Sequence, residues 1–134
     1  QRLVGVWEMR FRLDQLLALK STPSPNEIHG EIAFLANPWF RTAPPERVSP
    51  TDYGVYDVDF TPFGFDPRTP GQVPVAIAMV RDHDTVQIML GQGQSQTVTL
   101  DGTMVGDSVV GAWQASVVHF GVSGWFVMMR RRVP

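Results

Sequence analysis

Apolar residues recur at every second position along most of this chain, the period of a β-strand that buries one face. The first such stretch covers residues 3–13. Leu3, Gly5, Trp7, Met9, Phe11 and Leu13 share one side, and Val4, Val6, Glu8, Arg10 and Arg12 share the other. The last covers 124–132 and contains Gly124-Trp125-Phe126-Val127-Met128-Met129-Arg130. Between them the pattern predicts strands over 27–36, 53–60, 73–80, 85–90, 96–104 and 108–115. The segment Asp14-Gln15-Leu16-Leu17-Ala18-Leu19-Lys20 predicts one short helix after the first strand, with an acid at its start and a lysine at its end. Pro23 and Pro25 stop it. Two long connections follow, 37–52 with Trp39 and Phe40, and 61–72 with Phe63 and Phe65. After residue 73 the connections shorten to turn-like segments, apart from 91–95 and 116–123.

Short strands separated by turn signals predict an all-β architecture, a sandwich or a barrel. Eight strands joined in sequence fit an antiparallel up-and-down β-barrel, which removes sheet edges by closing. Its interior has room for side chains or one small ligand. At 134 residues, with no dividing linker, the chain reads as one domain over 1–134.

Parity assigns an inward set of Trp7, Met9, Phe11, Ile32, Phe34, Tyr56, Val58, Phe60, Val75, Ile77, Met79, Ile88, Val98, Leu100, Met104, Trp113, Phe126 and Met128. This set is bulky and almost wholly apolar. A sugar-like ligand deep inside would leave its polar groups unpaired, at about 1–3 kcal/mol each. The interior therefore packs on itself or takes a small apolar guest. Outward positions on the first and last two strands, Val4, Val6, Val110, Ala112, Trp125, Val127 and Met129, form a second apolar set. Soluble monomers rarely leave such a patch bare. It is covered by the chain's own 14–20 or 37–52 segments, or it is a partner interface.

Composition narrows the class. Charged residues are 18 % and the net charge is −2, which argues against nucleic acid as the main partner. No apolar run reaches the roughly 20 residues of a transmembrane helix. Cysteine is absent, which excludes disulfides, thiolate metal sites and cysteine nucleophiles. The sequence begins at Gln1 rather than Met, and the expectation drawn from that is an exported protein, periplasmic or extracellular.

The Gly5-x-Trp7 opening and Arg130 near the end of the last strand give the chain a resemblance to the calycins, the group that holds lipocalins and avidins. The resemblance implies a Trp at the closed end of the barrel with an Arg from the last strand packed across it, hence a Trp7–Arg130 cation–π contact. It also implies that the opposite end is the open one. Barrel topology puts Leu16, Leu17, Phe63, Phe65, the 91–95 loop, His119 and Phe120 at that end. These residues form either a ligand mouth or a plug. An avidin-like polar ligand set is not recognisable.

Catalytic and metal signatures are lacking. Asp82-His83-Asp84 reads as turn chemistry. His29, His83 and His119 fall in three separate elements, without metal-ligand spacing. Gly91-Gln92-Gly93-Gln94 joins two strands and is no phosphate cradle. Arg130-Arg131-Arg132 reads as one inward, one outward and one terminal side chain. No metal and no cofactor are expected.

Two functions remain. The first is a non-catalytic binding protein that holds a small apolar molecule near Tyr56, Phe63, Phe65, Trp113, His119, Phe120 and Phe126. The alternative is a structural or accessory subunit with a filled barrel. It would act on a protein partner, or on its own copies, through Val4, Val6, Val110, Trp125, Val127 and Met129. A shape-based enzyme using Tyr56, His119 and Asp66 is weaker, because nothing in the sequence pairs these groups.

Overall fold

Eight antiparallel strands close into a barrel in sequence order. The computed structural model describes residues 3–16, 27–35, 51–63, 65–68, 71, 73–82, 84–91, 97–117 and 120–131. The strands are β1 (Gly5–Leu16), β2 (Glu27–Leu35), β3 (Thr51–Val58), β4 (Val75–Arg81), β5 (Thr85–Leu90), β6 (Thr97–Val105), β7 (Ser108–Val117) and β8 (Phe120–Arg130). A 3-10 turn, Thr61–Phe63, follows β3.

Closure depends on β1 pairing with two neighbours. Its Trp7 lies opposite Ile32 of β2 and opposite Arg130 of β8. The expected helix at 14–20 is corrected in its first part. Residues 14–16 continue β1, and after an irregularity between Leu13 and Gln15 the strand pairs Gln15 with Ser123 and Leu16 with Val122. Strand pairing overrides the helix propensity of this Leu- and Gln-rich segment. Residues 17–20 lie outside the described residues. The connection expected over 116–123 is also mostly strand, since β7 and β8 run to Val117 and from Phe120.

At the start of β1, Gly5 has φ +130°, a conformation that disfavours any side chain. A Cβ there would stand 3.1 Å from the Arg130 Nη1. The guanidinium passes Gly5, donates to the Val4 carbonyl at 2.7 Å and lies 4.3 Å from the centre of the Trp7 ring. The Trp7 Nε1 donates to the Leu3 carbonyl at 2.9 Å, which satisfies its one polar atom.

The interior is apolar throughout, with Trp7, Phe11, Phe34, Phe60, Trp113 and Phe126 among its largest buried side chains. Among the described residues no charged side chain is buried. Outward positions carry Glu8, Arg10, Arg12, Asp57 and Asp101. A membrane-spanning barrel has the reverse arrangement, a polar lumen and an apolar outer band.

The parity expected for β4 is reversed. Ala76 and Ala78 are buried, whereas Val75, Ile77 and Met79 are half-buried and turned outward. Both faces of this strand are apolar, so alternation alone does not choose between them. Rings carried by β1, β7 and β8 and by the β3–β4 connection are buried in the interior, and the small side chains of Ala76 and Ala78 are buried with them.

Two substitutions test this packing. Trp7→Ala is expected to cost about 3–5 kcal/mol in chemical denaturation, and a loss below roughly 1 kcal/mol would place Trp7 outside the core. Gly124→Ala is expected to cost at least about 1–3 kcal/mol, because a Cβ there overlaps the Arg12 carbonyl and presses on the Trp113 Nε1 at 2.8 Å. An unchanged unfolding midpoint for Gly124→Ala contradicts the close β1–β8 approach.

Candidate functional site

Two regions carry the candidate residues, one end of the lumen and the outer surface. At the lumen end, the connection after β3 turns back into the barrel. Thr61 donates to the Asp59 carboxylate from its amide (2.9 Å) and from its hydroxyl (2.7 Å). That turn directs Phe63 inward, where it is fully buried, and Phe65 is 5 % exposed. The Phe63 ring lies on the Trp113 indole with centroids 5.6 Å apart and planes 6° apart. Phe65 stacks on Phe60 at 5.2 Å, and Phe11 meets Phe60 edge-on at 5.0 Å. The Trp113 indole donates to the Arg12 carbonyl at 3.0 Å, which fixes its plane. Phe126 completes the cluster against Phe11 at 6.4 Å.

Five of the seven candidate ligand residues, Tyr56, Phe63, Phe65, Trp113 and Phe126, are therefore buried side chains of one core. Phe63 and Phe65 lie against Trp113, and Phe11 and Phe60 join the same aromatic cluster. His119 lies outside the described residues, and of Phe120 only its place at the start of β8 is described.

Tyr56 is the polar exception. It is 2 % exposed, and its hydroxyl has no hydrogen-bond partner among the described residues. Burial pushes its phenol up to about 12, reinforced by the nearby Asp66 carboxylate and opposed by Arg68. Arg68 grips Asp66 with three hydrogen bonds, Nε to Oδ1 at 2.9 Å, Nη2 to Oδ2 at 3.2 Å and its amide to Oδ1 at 3.0 Å, and reaches Asp59 at 3.6 Å. The Arg68 hydrogen bond holds the Asp66 carboxyl below its usual range against the effect of burial. Hydrogen bonds from Thr61 do the same for Asp59. Both carboxylates thus favour the folded connection above the ordinary carboxylate range, and that support is lost as pH falls through their lowered values.

The outer surface divides into two apolar faces. Cross-strand pairs Val110–Val127 and Ala112–Trp125 build the first, with Met129 (57 % exposed) beside it. Arg10 and Arg12 on β1 lie opposite Val127 and Trp125, and the Arg12 guanidinium sits 5.9 Å from the Trp125 ring. Four of the expected interface residues, Val110, Trp125, Val127 and Met129, meet here. Val6 belongs to another row, Val6–Ala33–Val55–Val75, running around β1 to β4. Val4 precedes β1 and is half-buried, with its carbonyl taken by Arg130. Next to the Val6 row runs Leu35–Tyr53–Ile77–Met89 across β2 to β5. This second face is created by the outward turn of β4, and a parity reading that sends bulky residues inward misses it. The signal available in the sequence is the alternation of alanine with large residues in Val75-Ala76-Ile77-Ala78-Met79.

Charged groups elsewhere are engaged on the surface. Arg131 bonds Glu8 and Glu31, Arg10 pairs with Glu27 at 3.0 Å, and exposed His29 approaches Glu27 at 3.4 Å. Glu8, Met9, His29, Gly30 and Glu31 line a shallow, open hollow. Asp82 takes a left-handed turn conformation (φ 50°) that suits Asp in a hairpin, and His83 lies outside the described residues. Among the described residues no group of three His, Cys, Asp or Glu is placed to hold a metal ion. No described helix is long and apolar enough to cross a membrane. Comparison with known protein families finds no match, and comparison with curated proteins finds none either.

Tyr56→Phe is expected to stabilise the protein by about 1–2 kcal/mol, since it removes a buried hydroxyl that has no partner. The wild-type protein should also lose stability as pH rises from about 10, where the unfolded phenol ionises, to about 12, where the folded one does. Thermal unfolding across that interval should show this loss in the wild type and a smaller loss in Tyr56→Phe. Equal losses would mean that Tyr56 is not buried in its neutral form.

Proposed function

We propose that this protein is a non-catalytic structural or accessory module. Its barrel is a filled scaffold, and it works through its outer surface on a protein partner. The observation that carries this reading is the Phe63–Trp113 stack, with both rings at most 1 % exposed. Phe63 and Phe65, expected at a ligand mouth, instead lie buried against Trp113. Two outward apolar faces, which monomers seldom leave uncovered, support the same reading.

A calycin-like carrier of a small apolar molecule is the second reading, and one observation favours it. The Tyr56 hydroxyl is a buried donor without an acceptor, and a ligand carbonyl or ether would supply one. Such a ligand has to displace Phe63 from Trp113 to lie in the barrel.

Native mass spectrometry of the protein taken from its source tests the proposal. The expected result is a ligand-free oligomer or hetero-complex. A monomer that sheds a hydrophobic compound on denaturation contradicts it and favours the carrier.

A further inference from the structure

Two consecutive arginines meet β1 from opposite sides of the barrel wall. Arg130 turns inward, over the Trp7 ring and onto the Val4 carbonyl. Arg131, one residue on, is exposed on the outer surface. Its amide donates to the Val6 carbonyl at 2.8 Å, which sets its backbone against β1. Its guanidinium then crosses β1, where one nitrogen, Nη2, donates to Glu8 at 3.4 Å and also to Glu31 of β2. One side chain thus ties the end of β8 to the next two strands around the barrel.

The acids it meets belong to a row of like charges. Glu8 lies opposite Glu31, and Glu31 lies opposite Asp57 of β3. Neighbouring strands are about 4.8 Å apart, and like charges directly opposite each other destabilise a sheet. The next cation on β1, Arg10, pairs with Glu27 at 3.0 Å, and His29 approaches the same Glu27 oxygen at 3.4 Å. Among the described residues, Arg131 alone brings a cation into ion-pair contact with the row. Glu31 is the centre of that row, with an acid on either side.

We propose that Arg131 is an electrostatic latch on the barrel seam. It holds the end of β8 on β1 by drawing together carboxylates that repel one another across β1, β2 and β3. Arg130 and Arg131 then clasp β1 from inside and from outside. The inner contact is part-buried and is screened little by salt, whereas the outer one is exposed and weakens with ionic strength. The seam therefore responds to its ionic surroundings through the outer clasp, and opening there uncovers the unpaired groups of two strand edges. The latch is independent of what occupies the lumen.

Amide hydrogen exchange of the folded chain, followed residue by residue by NMR at neutral pH and corrected for intrinsic rates, tests this. In about 20 mM NaCl, Arg131→Gln should speed exchange of the amides at positions 130 and 131 at least about threefold. Ala78 and Ile88, paired on β4 and β5 across the barrel, should exchange as in the wild type, and circular dichroism should show the same fold. In about 1 M NaCl the difference at 130 and 131 should shrink to less than half, because attraction and repulsion are both screened. Glu31→Gln added to Arg131→Gln should slow exchange again, since it removes the central charge of an unrelieved row. That recovery is specific to charge, because a role for the Arg131 stem in packing predicts none. Unchanged exchange at 130 and 131 in Arg131→Gln, an effect as large in 1 M NaCl, or a double variant that exchanges as fast as Arg131→Gln overturns the latch.

Discussion

The pairing of β1 with β8 is the contact on which the rest of the structure depends. An eight-stranded sheet that closes has no edges to protect, and its lumen has room for its own side chains or one small ligand. Closure is secured at two points. Near one end Arg130 crosses the Trp7 ring and holds the Val4 carbonyl. Toward the other, Gly124 lets β8 approach β1 so closely that Trp113 reaches the Arg12 carbonyl from β7. Both points need a glycine: at Gly5 for an unusual backbone angle and for passage of the guanidinium, and at Gly124 for the space a methyl would occupy.

Filling the closed lumen decides which residues are left outside. The β3–β4 connection inserts Phe63 and Phe65 beside Trp113, and Phe60, Phe11 and Phe126 complete the aromatic cluster. With that volume taken, β4 turns Ala76 and Ala78 inward and sends Val75, Ile77 and Met79 to the surface. Tyr56 is where the packing is least satisfied. Its hydroxyl gives up hydrogen bonding to water without a replacement in the core.

Much of this was legible in the sequence. Alternation located all eight strands, because one face of each is buried and the period of two is strict. The contact between Trp7 and Arg130 is the one the calycin resemblance implied, and the structure has it. Three features were not legible, for separate reasons. The extension of β1 through Leu16 depends on partners more than a hundred residues away, which local propensity does not register. The orientation of β4 depends on the volume left by other strands, and an apolar residue on each face hides it. Whether Phe63 and Phe65 plug the lumen or line a mouth depends on the Asp59–Thr61 turn that aims them, and alternation has no bearing on a connection. The β7–β8 face was legible from outward valines and Trp125, whereas the β2–β5 face became visible only with the register.

The central claim is that the lumen is filled by the chain itself. A crystal of the protein exposed to xenon under pressure tests it most directly, because xenon enters dry apolar cavities and scatters strongly. The account predicts no xenon inside the barrel. A xenon atom bound among Phe63, Trp113 and Phe126 would contradict it, and would give the Tyr56 hydroxyl a cavity in which an apolar ligand could meet it.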